Sequence, residues 1–153
     1  MEETRATASA IINFAEKLED DTFNFYQKLG GKFAQNKKEF ISFAEESKKN
    51  KVLVVRTYRE TITDALEACF CFEGLNLNNY AVRASLTVGK SYSDALRTAM
   101  ELEDKGSKFY ADVAELSKSL LATIPGVFRK VAEKRNSRKQ VLKSLLDKAT
   151  AKR

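Results

Sequence analysis

Apolar positions recur at helical spacing through four stretches of the chain. The first covers about residues 7–33, with a seam of Ala8, Ile12, Ala15, Glu19, Thr22, Tyr26, Leu29 and Phe33. Steps of three and four residues keep all of these on one helical face. The second covers about residues 37–65, with a seam of Phe40, Phe43, Ser47, Asn50, Val54 and Thr57, flanked by Ala44 and Leu53. The third covers about residues 92–121, through Leu96, Ala99, Glu103, Gly106, Tyr110, Val113, Ser117 and Leu120. The fourth covers about residues 124–149, through Ile124, Phe128, Val131, Arg135, Arg138, Leu142, Leu145 and Ala149. Each seam carries polar residues at its middle, and the fourth carries two arginines where a core is expected.

Local signals set the boundaries. Gly30-Gly31 weakens the last turn of the first helix. Asn36-Lys37-Lys38-Glu39 reads as a capping box opening the second. Val52–Val55 contains three β-branched valines, which mildly lower helix propensity there. Ser91-Tyr92-Ser93-Asp94 caps the third helix, and Thr123 caps the fourth, with Pro125 in its first turn where a missing N–H does no harm. Between about residues 67 and 90 the helical period fades. Gly74 and Asn78-Asn79 mark turns, and Tyr80, Val82, Ala84, Leu86 and Val88 alternate as in an extended segment. The first and second helices are joined tightly, as are the third and fourth, so each pair is expected to be antiparallel. The long segment between the pairs then serves as a crossover along the bundle. This pattern predicts an all-α, ferritin-like four-helix bundle: two antiparallel hairpins joined by a long crossover, one domain over residues 1–153.

Composition agrees with long helices, since 153 residues include one proline and six glycines. The net charge of +6 is concentrated in the final helix. Residues 124–153 hold ten Lys/Arg against two Asp/Glu, and the rest of the chain has slightly more acids than bases. No apolar run reaches the length of a membrane span. The acidic start, Met1-Glu2-Glu3-Thr4, lacks the pattern of a secretory signal, so a cytoplasmic protein is expected. Cys69 and Cys71 are too close to bridge readily, and no CxxC pair offers a zinc or rubredoxin-type iron site. They read most simply as two small residues on the crossover, with a thiol pair for metal or redox work as the sharper alternative. The chain has no histidine, which removes the commonest transition-metal ligand and general base.

The polar seam residues fall into a repeat. Glu19 precedes Tyr26 by seven residues, and Glu103 precedes Tyr110 by seven, each within a matching string (Leu18-Glu19 to Phe25-Tyr26, Leu102-Glu103 to Phe109-Tyr110). Phe43 to Asn50 parallels Val131 to Arg138 in the same way. The chain is thus a duplicated hairpin. From about Ala8 to Leu146 it resembles the rubrerythrin-type ferritin-like family, most closely in Leu96 to Tyr110. In that family the first and third helices each give one glutamate to a di-iron centre, and the second and fourth each give a Glu-x-x-His pair. The resemblance implies that Glu19 and Glu103 keep family ligand positions. Ser47 and Asn50 stand in place of the first Glu-x-x-His, and Arg135 and Arg138 in place of the second. The resemblance does not extend to the rubredoxin domain appended in true rubrerythrins, so a protein without that domain is expected.

Four of six ligand positions are therefore substituted, too many for a di-iron centre. An arginine stays cationic and cannot coordinate. The expectation is that Arg135 and Arg138 balance Glu19 and Glu103, with Ser47 and Asn50 as neutral hydrogen-bonding neighbours and Tyr26 and Tyr110 adding hydroxyl bonds. The alternative is a register slip that lets both arginines snorkel to water, Arg138 more readily than Arg135. Function then follows in three readings. The first is a metal-free, non-catalytic structural or interaction module, pairing as a homodimer, with no cofactor and no membrane partner. The second is a peroxide- or oxygen-handling oxidoreductase with an atypical site built from Glu16, Glu19, Glu45, Glu46 and Glu103. The third is a nucleic-acid or anionic-surface binder using Lys130, Lys134, Lys139, Lys143 and Lys148.

Overall fold

The computed structural model describes residues 6–61, 71–72, 75–81, 91–117 and 123–151. Four helices carry the described fold: α1 (Ala8–Lys32), α2 (Lys37–Thr61), α3 (Tyr92–Ser117) and α4 (Thr123–Ala151). None is long and apolar enough to cross a membrane among the described residues. Side-chain contacts give their directions. Tyr26 of α1 meets Phe43 near the start of α2, while Ser9 at the other end of α1 meets Tyr58 near the end of α2, so this pair is antiparallel. In α3 and α4, Glu115 meets Arg129 and Asp104 meets Lys139, again antiparallel. Across the pairs, Tyr26 meets Glu103 and Glu19 meets Tyr110, so α1 opposes α3. It follows that α2 and α3 run the same way, and the chain must travel the length of the bundle between Thr61 and Tyr92.

Side-chain caps mark the starts of α1 and α3. Thr7 Oγ1 accepts from Ala10 N–H at 3.1 Å and caps α1. α1 runs through Gly30-Gly31 to Lys32, with Phe33 as its C-cap, close to the expected end. Gly30 is buried there because a Cβ would come within 3.0 Å of the Ile41 side chain, so its smallness lets α2 fold back closely. Asn36 does not sit in the expected capping-box position. It lies in a 3-10 turn (Ala34–Asn36), which does not give the extended backbone an N-cap requires. Its side-chain oxygen instead accepts the Tyr92 hydroxyl, tying this corner to the start of α3. Ser91 caps α3 as expected, its Oγ accepting from Asp94 N–H at 3.2 Å. Thr123 is helical and the first residue of α4 described, so it does not take the N-cap position expected of it.

In the crossover, Leu77–Tyr80 forms a 3-10 turn capped by Asn76 at the turn expected around Asn78-Asn79, and Tyr80 closes it, so that the chain becomes extended at Ala81 and not at Tyr80. Tyr80 has a reason to stop there: its ring packs edge-on against Phe109, with centroids 5.7 Å apart, and its hydroxyl donates to Asp112 at 2.6 Å. A two-residue antiparallel ladder, which the sequence did not suggest, pairs β1 (Ala6–Thr7) with β2 (Cys71–Phe72). It pins the start of α1 to the crossover. Cys69, Gly74, Leu120, the run from Val82 to Val88 and the end of the second predicted helix lie outside the described residues.

The four seams meet in one core. Ile12, Ala15, Leu29, Phe40, Val54, Leu96, Ala99, Val113, Phe128, Val131 and Leu142 are buried, while Phe43 and Leu145 are half-buried at its edge. Of the aromatics expected in or near the core, Phe25, Phe40, Phe109 and Phe128 are buried, and Phe14, Phe23 and Phe43 pack partly buried against it.

Candidate functional site

The middle of the bundle is polar. Glu19, Thr22, Ser47, Asn50, Glu103, Arg135 and Arg138 are all buried, and Arg135 and Arg138 are the two largest fully buried side chains among the described residues. Neither arginine snorkels to solvent. The seam spacing explains why: to turn Arg135 outward, α4 would have to expose Val131 and Leu142, each fully buried.

Arg135 lies across the bundle between α1 and α3. Its Nη2 donates to both carboxylate oxygens of Glu19, at 2.8 and 2.7 Å, and to Thr22 Oγ1 at 3.0 Å. Its Nη1 donates to Glu103 Oε1 at 2.7 Å. One planar guanidinium thus bridges two carboxylates from different helices, with the short distances of charge-assisted bonds. Burial alone would lower the Arg135 pKa, but Glu19 and Glu103 together outweigh it and hold it above its ordinary value. Arg135 is therefore a fixed cation.

Gly106 makes room for that guanidinium. A Cβ on it would stand 2.7 Å from Arg135 Nη1 and 2.9 Å from Cδ. Gly106 lies three residues after Glu103 on the same face, so α3 supplies both the carboxylate and the gap beside it.

Arg138 sits one turn further along α4. Its Nε donates to Glu46 Oε1 at 2.8 Å and its Nη1 to Ser47 Oγ at 2.9 Å, with a longer contact of 3.4 Å to Glu103 Oε2. Glu46 was not among the expected partners of the arginines. Its signal is positional: it follows Phe43 by three residues and precedes Asn50 by four, which sets it beside the α2 seam. Its side chain is 36% exposed, so it forms the solvent edge of the network. Three carboxylates therefore face two guanidinium groups, and the excess negative charge lies at the wet end, where water screens it.

The tyrosines bond crosswise. Tyr26 of α1 donates to Glu103 on α3, and Tyr110 of α3 donates to Glu19 on α1 at 3.1 Å. Both phenols are fully buried beside a carboxylate, and burial first, then the negative neighbour, raises their pKa values well above 10.0. The sign of the linkage follows. Below pH 10 both phenols are neutral in either state and stability is unaffected. Above it the unfolded chain loses these protons while the folded chain keeps them, so stability falls until the folded pKa is passed. Each tyrosine should remove about 1.4 kcal/mol per pH unit in that window. Tyrosinate absorbance from these two should therefore emerge only together with loss of helical circular dichroism, and Tyr26→Phe should flatten the alkaline limb.

Asn50 makes no direct bond to the arginines or glutamates: it is buried, and neither its Nδ2 nor its Oδ1 has a protein partner.

The five glutamates considered as an atypical cation site do not converge. Glu19 and Glu103 are held by Arg135, Glu46 by Arg138, Glu45 is exposed, and Glu16 lines an outer groove of about 740 Å³ between α1 and α2 with Asp20, Phe23 and Val52. Among the described residues, no group of three or more His, Cys, Asp or Glu side chains is placed to hold a metal ion. On the basic helix, Arg129 and Lys139 are paired with Glu115 and Asp104 of α3, which leaves the positive face less concentrated than its sequence suggests. Comparison with protein-family models, with curated proteins and with solved structures gave no match to this chain.

Proposed function

We propose that this chain is a rubrerythrin-type ferritin-like bundle in which an Arg–Glu network stands where the family holds two irons, and that it acts as a non-catalytic structural or interaction module, pairing as a homodimer. One observation carries the reading. The guanidinium of Arg135 bridges Glu19 and Glu103, the two positions that keep the family's ligand type. The pairing of helices and the long connection between them suit the same topology.

The residues present do not fit a di-iron centre. Both retained carboxylates already accept from a fixed cation, Ser47 and Asn50 are neutral, and Arg138 adds a second positive charge beside them. An incoming metal would have to displace a guanidinium from a buried, charge-matched position. It would then find too few anionic or imidazole ligands. What the arrangement does supply is cross-bracing, since α1, α3 and α4 meet at Arg135, and α2, α3 and α4 meet at Arg138.

The test is to restore the family's pattern. A variant with Ser47→Glu, Asn50→His, Arg135→Glu and Arg138→His should take up about two ferrous or cobalt ions per chain, measured by element analysis and titration with helicity checked in parallel. The parent protein, prepared alongside, should hold no stoichiometric transition metal. Transition metal bound at the bundle centre of the parent would end the proposal, as would a folded variant that binds none.

A further inference from the structure

Four buried polar atoms in the network have no protein partner: Asn50 Nδ2 and Oδ1, Arg135 Nε and Arg138 Nη2. They are not scattered. Tyr26 meets Phe43, and seven residues back along α1 and seven on along the antiparallel α2 bring Glu19 and Asn50 to the same level. Arg138 reaches Ser47 at 2.9 Å, and one turn along the antiparallel pair brings Asn50 to the level of Arg135. The unpaired atoms thus belong to two adjacent layers where α2 faces α4.

Proteins rarely leave such groups dry. Where side chains do not reach one another, an ordered internal water making two to four hydrogen bonds usually completes the set. We propose that Asn50, Arg135 Nε and Arg138 Nη2 form an internal hydration site between α2 and α4, and that the Arg–Glu network is closed through water. The chemistry favours a small neutral molecule that both donates and accepts. The guanidinium N–H groups and the Asn50 amide N–H need an acceptor, whereas Asn50 Oδ1 needs a donor. A bare anion would satisfy only the first need, and it would add to a network that already has one carboxylate in excess. Glu46, half-buried on Arg138, marks the side on which the network meets solvent. Nothing in this inference depends on descent from a metal site, so it can fail while the proposed function stands, and the reverse.

Water-to-protein cross-relaxation in isotope-labelled protein reads the site directly. Long-lived water should give cross-peaks to the Asn50 side-chain amide protons and to the Arg135 or Arg138 guanidinium protons. Their absence from all three residues would overturn the proposal. A crystal grown in bromide separates the ligand classes: a water-sized peak without anomalous signal supports hydration, and an anomalous peak shows an anion and overturns it. Asn50→Leu keeps the volume and removes the amide. Its melting temperature should fall, because the guanidinium groups lose the partner that Asn50 holds in place. A rise, or no change, would mean that the amide sits dry and unbonded in the parent. If the variant does not fold, the spectrum of the parent protein still decides.

Discussion

Replacing Arg135 with alanine should cost about 3–5 kcal/mol of folding stability, the range found when one partner of a buried ion pair is removed. The loss of Arg–carboxylate bonds is only part of the cause. The larger part is what remains. Glu19 and Glu103 are both fully buried, and without Arg135 each keeps a tyrosine hydroxyl but no close, well-formed cationic partner. Arg138 cannot take over, since its contact to Glu103 is already long and its Nε is held by Glu46. The measurement is a urea unfolding curve, with a lowered midpoint and an unchanged slope. Arg135→Lys should recover only part of the loss, because a single ammonium cannot span two carboxylates as a planar fork does. Removing the charges together, with Arg135→Met, Glu19→Gln and Glu103→Gln, should cost far less than Arg135→Ala alone. A loss below about 1 kcal/mol for Arg135→Ala, the worth of an exposed pair, would show that both carboxylates reach water.

The helices and the core were legible in the sequence because burial repeats at helical period, and the polar exceptions fell on that same period. Glu19, Glu103, Arg135 and Arg138 pair in the sequence pattern itself, because four charges on facing seams admit few arrangements. What was not legible depends on contacts between distant segments. The Ala6–Thr7 ladder with Cys71–Phe72 involves two residues on each side, too short for alternation to register. Asn36 looked like a cap because local spacing favoured it, but Tyr92, more than fifty residues away, claims its side chain. Glu46 lies beside the seam, and the seam pattern carries no measure of how far a long side chain reaches. Ser47 and Asn50 share the α2 seam, yet only Ser47 bonds an arginine directly, a difference of side-chain placement that seam spacing does not express.

Gly106→Ala should destabilise the protein by about 1–3 kcal/mol, the usual cost of overpacking a filled core. The sign makes this informative. In the middle of an exposed helix the same change gains up to about 1 kcal/mol, since alanine is the better helix former. Here the added methyl would stand 2.7 Å from Arg135 Nη1 and close to its Cδ and Cζ. The clashing atoms are not the free end of a flexible chain, because Glu19, Glu103 and Thr22 hold the guanidinium in position. Either α3 and α4 move apart or Arg135 gives up part of its bridge, and both lose stability. A double-mutant cycle isolates the cause. With Arg135→Ala already in place the clash is gone, so Gly106→Ala should become neutral or stabilising by a few tenths to about 1 kcal/mol. If Gly106→Ala costs the same in both backgrounds, the glycine serves some other purpose than seating Arg135. If it costs nothing in the parent, α3 and α4 are farther apart at this level than the structure places them.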